Sequence, residues 1–294
     1  MSIAHSNMLT KISHYLSLVR FSHTLFAMPF ALAAMFWAAR GWPSPRVFAL
    51  IVLCMVFCRN AAMAFNRLVD AAYDARNPRT ARRHLPAGLL TRQGVITFLA
   101  LNAALFVVAT WFLNPLAFTL SLPALVAVCF YSVTKRFTTW SHLYLGLAIG
   151  ISPVGAWVAV TGTIGWEAIL LCLSLLFWIA GFDIIYATQD EESDREAGLN
   201  SVAVRFGVTG ALNISRVLHG LMLVCLVMTE ILFPLGMPFR IAIAVTAALL
   251  GYIHVFRRSV SLDDLNADFF QANIAVSLVV CAGVIASVFL NPLP

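Results

Sequence analysis

Nine stretches of about 20 mostly apolar residues follow one another along the 294-residue chain, near 21–39, 47–66, 94–113, 115–134, 142–162, 166–188, 212–232, 239–256 and 270–290. A helix needs about 20 such residues to cross the hydrocarbon core of a bilayer. A single run is compatible with a buried core helix, but nine leave no polar shell to face water. Composition agrees, with 61% of residues hydrophobic and 11% charged, against about 45–50% and about 25% in soluble domains. The expected fold is all-α: a polytopic membrane protein of about nine transmembrane helices, with residues 1–294 as one domain.

The first stretch follows Lys11 and Arg20 and contains small residues, as a signal peptide would. It is too long and too aromatic for a cleaved apolar region, and further spans follow, so it is read as a transmembrane helix. The cysteines (Cys54, Cys58, Cys129, Cys172, Cys225, Cys281) all lie inside apolar stretches without C-x-x-C spacing and are read as small core residues.

With nine spans, the N-terminus shares a side with the loops after the second, fourth, sixth and eighth. Fifteen of the 19 Lys and Arg residues fall there, against Arg40, Arg46 and Arg240 on the other side. The positive-inside rule makes the first side cytoplasmic. Topology thereby accounts for the net charge of +6, and no nucleic-acid partner is expected. Loop acids contribute little to topology, yet 11 of 13 lie on that same side, leaving Glu167 and Glu230 opposite. A face rich in both signs suits metal and phosphate.

The second span ends in FNRLVDAAYDARNPRT, where Asn66, Asp70 and Asp74 are spaced by four. That spacing keeps all three on one helix face, climbing about 6 Å per step. Pro78 disfavours helix at Asn77, so the carboxylates sit in the last turns. There they repel each other and face the negative end of the helix dipole, which is unfavourable without a cation. A hard divalent ion with oxygen ligands is one counter-charge, with Asn66 adding a neutral oxygen. Pairing with Arg67, Arg76 or Arg79 at a wet helix end is the other.

The sixth span repeats the arrangement in FDIIYATQDEESD. Asp183, Asp190 and Asp194 are offset by seven and four and share a helix face, whereas Glu191 and Glu192 point elsewhere. Asp70 to Asp190 and Asp74 to Asp194 are both 120 residues apart, the mark of a duplicated helical unit. Two such triads on one membrane side are expected to face each other across a central cavity open to the cytoplasm. Mg²⁺ typically binds through one or two carboxylates plus substrate phosphate oxygens, so this geometry suits a diphosphate bridged by two ions.

These motifs resemble the UbiA superfamily of intramembrane prenyltransferases. The likeness is carried by the N-x-x-x-D-x-x-x-D of Asn66 to Asp74, NPRTARRHLPAG from Asn77 to Gly88, YSVTKR from Tyr131 to Arg136, and the D-x-x-Y-A-x-x-D-x-x-x-D of Asp183 to Asp194, in order and spacing over essentially the whole chain. RFSHTLFAMPFAL from Arg20 to Leu32 and FNRLVDAAYDARNPRT look most like the 4-hydroxybenzoate polyprenyltransferase branch. The resemblance implies Mg²⁺-dependent transfer of a polyprenyl group from polyprenyl diphosphate to an aromatic acid of the 4-hydroxybenzoate type in quinone biosynthesis. The alternative is a naphthoate of the 1,4-dihydroxy-6-naphthoate type for menaquinone. It also implies a bacterial inner membrane. The pattern departs at Arg67, where many members carry Asp, so the two-metal assignment rests on Asn66, Asp70, Asp74, Asp190 and Asp194.

Basic groups are needed to take up charge when diphosphate leaves, and Arg fits phosphate oxygens bidentately. Lys135 and Arg136 after the fourth span and Arg79, Arg82 and Arg83 after the second are on the expected side. The resemblance favours Lys135 and then Arg79 as diphosphate-binding, with Arg136 a further candidate. Arg82, Arg83 and Arg136 read equally well as positive-inside anchors. Arg59 lies inside the second span on the face of Asn66, about 10 Å deeper, where an Arg needs a polar cavity or partner. It is a candidate for the acceptor carboxylate or a diphosphate oxygen; snorkelling or pairing with another helix is the alternative. Arg20, His23 and Tyr186 are further acceptor candidates. Phe65, Tyr131, Phe182 and Tyr186 are expected to line the prenyl path, where an aromatic face stabilises an allylic cation by about 2 kcal/mol when desolvated.

In the implied reaction the allylic cation forms shielded from water, the hydroxyl-activated ring attacks prenyl C1, and a proton leaves. Asp183 is the catalytic candidate, orienting the acceptor or assisting proton loss, with metal ligation as its alternative role. A secondary transporter also suits many spans and a 120-residue echo, but its ionisable sites would lie near the midplane. A CDP-alcohol phosphotransferase is excluded because Asp70 is followed by Ala71 and Asp74 by Ala75, so its D-x-x-D-G-x-x-A-R signature is absent.

Overall fold

A computed structural model of the chain describes residues 13–15, 17–18, 24–256 and 262–291. Among the described residues the chain is helical without strands: α1 (Thr24–Ala38), α2 (Pro45–Asp74), α3 (Arg92–Trp111), α4 (Pro115–Thr134), α5 (Ser141–Thr161), α6 (Trp166–Ala187), a 3₁₀ turn (Thr188–Asp190), α7 (Glu191–Glu196), α8 (Val202–Leu232), α9 (Met237–Phe256) and α10 (Leu262–Leu290). Eight helical stretches are long and apolar enough to cross a membrane, and the first expected span contributes the shorter apolar run Ala27–Ala38.

Polar residues between the apolar runs start the helices. The side chains of Ser44, Thr91, Asn114 and Ser201 accept hydrogen bonds from Val47, Gly94, Ala117 and Val204 amides at the starts of α2, α3, α4 and α8, satisfying amide groups that the first helical turn leaves unpaired. Three helices outrun the expected spans, α2, α8 and α10, the last beginning eight residues early at Leu262. The 30 residues of α2 extend about 45 Å, more than the roughly 30 Å of hydrocarbon, so its polar last turns need not lie in lipid. Helix α8 begins ten residues before its expected start and bends at Gly207, whose φ of 68° breaks the helical run.

Helix α6 is the central post, packing most extensively on α5 and α8. Leu171, Leu175, Trp178, Ile184 and Ile185 on it are wholly buried. Trp178 stacks on Phe30 of α1, with ring centroids 5.6 Å apart. Its indole N–H donates to Asn273 Oδ1 of α10 at 2.5 Å, so the buried polar tip is satisfied.

Small residues let α5 and α6 approach closely. A Cβ on Gly146 would lie 2.3 Å from the Leu176 carbonyl oxygen, and one on Gly150 would lie 2.9 Å from that of Cys172. Gly146→Ala therefore has to push backbone from backbone and is expected to destabilise the bundle by about 1–3 kcal/mol. Gly155 on the same helix meets nothing within 4 Å, so Gly155→Ala is expected to be neutral or to gain about 0.5–1 kcal/mol from helix propensity. Thermal melting of the two variants in detergent separates these outcomes.

Candidate active site

The two aspartate motifs meet at one end of the bundle. On α2, Asn66 Nδ2 donates to Asp70 Oδ2 at 3.0 Å, as their four-residue spacing allows. The Asn66 oxygen, a candidate cation ligand, accepts from Arg67 Nη1 at 3.3 Å. Asp70 and Asp74 are both buried, and each is met by basic side chains. Lys135 Nζ stands 3.2 Å from Asp70 Oδ2 and Arg136 Nη2 stands 3.8 Å from its Oδ1. Arg83 Nη1 donates to Asp74 Oδ1 at 2.6 Å.

The second motif is not one continuous helix. Helix α6 ends at Ala187, and the 3₁₀ turn Thr188–Asp190 precedes α7, so Asp183 and the pair Asp190 and Asp194 stand on separate helical segments. Thr188 Oγ1, donating to the Ile185 carbonyl at 2.6 Å, is the kind of local side-chain bond that competes with a regular helix. Asp190 turns toward the first motif, where Arg79 engages it through two guanidinium nitrogens, Nε to Oδ1 at 2.8 Å and Nη2 to Oδ2. Asn77 Nδ2 adds a hydrogen bond of 3.3 Å to Oδ1. The pairing considered for Arg79 within its own motif is thus made across motifs. This hydrogen bond holds the Arg79 guanidinium above its ordinary value, against the opposing effect of burial.

Asp194 is fixed through the end of α7. Gly198 adopts φ 66°, which lets the Leu199 amide reach back to the Asp194 carbonyl at 2.8 Å. The next amide, Asn200, donates to the Lys135 carbonyl at 2.8 Å, tying the loop after α7 to the loop that carries Lys135. Glu191 pairs with Arg195 one turn on.

Asp183 faces α5. His142 Nδ1 lies 2.7 Å from its Oδ2, while the Val202 amide donates to His142 Nε2 at 3.4 Å. An accepting Nε2 places the ring proton on Nδ1, so His142 donates to Asp183. The close approach at Gly146, one turn along α5 from His142, brings these side chains together. Neither His142 nor Asn77 was singled out from sequence. A polar residue one turn before a small-residue contact was the available signal for His142. Arg136 also donates to the Val69 carbonyl at 2.9 Å and lies over the Tyr73 ring, 5.2 Å from its centroid. Phe182 and Tyr186 on α6 meet edge to face at 4.9 Å. Arg59 is half-buried on α2, and Arg20 and His23 lie outside the described residues.

Among the described residues no three carboxylate, imidazole or thiol side chains converge on one metal position. The acids nevertheless fit a hard cation. Among the described residues Asp70 Oδ1 and Asp74 Oδ2 are buried without a hydrogen-bond partner, an arrangement that costs free energy until a cation or donor satisfies them.

The profile described as the UbiA prenyltransferase family matches residues 27–279. A 4-hydroxybenzoate octaprenyltransferase from Saccharophagus degradans is 33% identical over 252 residues, covering 84% of this chain and 82% of the relative. Across the curated relatives compared, the alignments span 57% to 87% of their length. Among solved structures, an apo UbiA homologue from Aeropyrum pernix K1 superposes with a TM-score of 0.81 at 28% identity, covering 90% of this chain and 97% of the other. A UbiA homologue from Archaeoglobus fulgidus bound to DMAPP and Mg²⁺ shares the fold, with a TM-score of 0.71 at 20% identity and coverage of 92% and 99%. With every helix inside the matched region except the start of α1 and the last part of α10, the chain belongs to the UbiA prenyltransferase family.

Proposed function

We propose that the protein transfers a polyprenyl group from polyprenyl diphosphate to an aromatic acid of the 4-hydroxybenzoate type, with the site facing the cytoplasm. The observation that carries this reading is the Arg79–Asp190 pair, which joins the two aspartate motifs at one end of the bundle. The name of the Saccharophagus relative supports the acceptor class, the ligands of the Archaeoglobus structure support prenyl diphosphate and Mg²⁺, and the excess of Lys and Arg on the same side supports the orientation.

Asp70, Asp74, Asp190 and Asp194, with Asn66, would hold Mg²⁺ as two ions. When bound, Mg²⁺ supplies the positive charge that draws electrons onto the leaving group. Lys135 and Arg79 stand against these carboxylates and would meet the diphosphate held there, and Arg136 flanks Asp70. Their charge stabilises the departing diphosphate. Phe182 and Tyr186 offer aromatic faces to the allylic cation beside the acids and keep water from it. Asp183, held by the Nδ1–H of His142, receives the proton that the ring loses after attacking prenyl C1.

The test is direct. Membranes containing the protein, given Mg²⁺, a long-chain prenyl diphosphate and either 4-hydroxybenzoate or 1,4-dihydroxy-6-naphthoate, are expected to yield prenylated 4-hydroxybenzoate by mass spectrometry. A product formed only from the naphthoate would move the protein to menaquinone synthesis, and no product from either would overturn the acceptor class.

A further inference from the structure

The chain ahead of α1 docks on the loop between α2 and α3. Leu18 is 1% exposed and packs with Ala64 and Leu68 near the end of α2 and with Leu90 and Val95 at the start of α3 and just before it. Tyr15 stacks on Phe98 of α3 with ring centroids 5.0 Å apart. Gly94 makes room for it, since a Cβ there would lie 2.5 Å from the phenol oxygen. Ser17 Oγ donates to the His14 carbonyl at 3.1 Å and lies 2.7 Å from His84 Nε2. A hydroxyl has one proton to give, so the Nε2–H of His84 donates to Ser17. The rings of His14 and His84 meet edge to face at 5.6 Å.

The same loop carries the side chains that join the aspartate motifs. Arg83, directly before His84, donates to Asp74, and Arg79 engages Asp190. Backbone bonds within the loop fix its shape: the Thr80 and Ala81 amides donate to the Asn77 carbonyl, Arg83 to Thr80, Ala87 to Arg83, and Leu89 and Leu90 both to His84. Where the shaped loop sits against α2 depends on its side-chain contacts, and His84 serves both ends, its carbonyl closing the loop while its ring meets Ser17. We propose that the stretch ahead of α1 is a strap in which Ser17 and Leu18 are positioning residues: by holding His84 and Leu90 they set Arg79 and Arg83 against the acids, and so set the affinity for the diphosphate end of the prenyl donor. The substrate named here rests on the prenyl-transfer reading, whereas the docking of the strap does not.

The experiment uses the full chain in nanodiscs and reads two quantities. Hydrogen–deuterium exchange of residues 77–90, without metal or substrate, reads how firmly the loop is held. Turnover with Mg²⁺, a long-chain prenyl diphosphate and 4-hydroxybenzoate reads kcat and both KM values. Ser17→Ala is expected to speed loop exchange by about three- to tenfold, the worth of one hydrogen bond, and to raise KM for prenyl diphosphate by a similar factor. Its kcat, its KM for 4-hydroxybenzoate and its melting temperature stay near those of the unaltered protein. Leu18→Ala, which empties a buried site, moves both quantities further in the same direction. His84→Gln carries an amide nitrogen toward the place of Nε2 and keeps most of the hold, whereas His84→Asn behaves like Ser17→Ala. Loop exchange unchanged in Ser17→Ala and Leu18→Ala overturns the strap. Faster exchange with an unchanged KM for prenyl diphosphate, or a fall in kcat that tracks melting temperature, overturns the positioning role. If the unaltered protein turns over no prenyl diphosphate, the functional reading fails by itself, and loop exchange still decides whether the strap holds the loop.

Discussion

Asp74→Asn is expected to lower kcat for prenyl transfer by about 10²–10³-fold, while the protein still folds. The carboxylate is buried, with Oδ1 held by Arg83 at 2.6 Å and Oδ2 without a hydrogen-bond partner among the described residues. Asn preserves its volume but removes the negative charge that a divalent cation needs. Losing one partner of a buried ion pair costs about 3–5 kcal/mol when the other charge stays trapped. Here the Arg83 side chain keeps 21% of its surface exposed, so it can turn to water and most of that cost is avoided. The expected signature is therefore catalytic: near-native melting in detergent, a collapsed rate, and a higher Mg²⁺ concentration for half-maximal activity. Arg83→Gln is the control, since it removes the pairing cation and leaves the carboxylate. Full Mg²⁺-dependent turnover in Asp74→Asn would show that this aspartate holds no metal.

The contrast between Asp74 and Asp190 shows what could be read from sequence and what could not. Asn66, Asp70 and Asp74 lie on an unbroken helix, so spacing of four predicts their common face, and the structure keeps Asn66 in contact with Asp70. The second motif has similar spacing, but a 3₁₀ turn intervenes at 188–190, and whether a helix tightens there depends on local bonds such as that of Thr188 rather than on apolar periodicity. The membrane helices were legible because the bilayer requires long apolar runs. Their ends were less so: α2 runs on through polar residues as far as Asp74, and α8 starts at Val202, ten residues before its expected span and across the bend at Gly207. Long-range partners were the least visible. Nothing in the spacing of Arg79 reveals that it reaches Asp190 in preference to the acids of its own motif. Asn77 looked like a residue before proline until its amide was seen beside the same carboxylate.

The pair of His142 and Asp183 gives the second large effect, and amide substitutions can test which imidazole nitrogen matters. Removing Asp183 by Asp183→Asn is expected to lower kcat by about 10²–10⁴-fold, the usual contribution of a positioned acid or base. His142 reaches the acceptor only through that carboxylate, so it is a positioning residue, and His142→Ala is expected to cost about 10–100-fold in kcat, by analogy with partners that orient catalytic ligands, with KM for prenyl diphosphate little changed. The amide nitrogen of Asn occupies the place of Nδ1, whereas that of Gln reaches toward Nε2. His142→Asn can still donate to Asp183 at the position now 2.7 Å away, so it should recover much of the lost rate. His142→Gln should not, because its donor would point toward the Val202 amide, which is itself a donor. Equal losses in Asn and Gln variants, or parallel losses in melting temperature, would make His142 a packing residue of the α5 start. A recovery confined to Asn would show that the hydrogen bond from Nδ1 holds Asp183 ready for the proton that the ring releases.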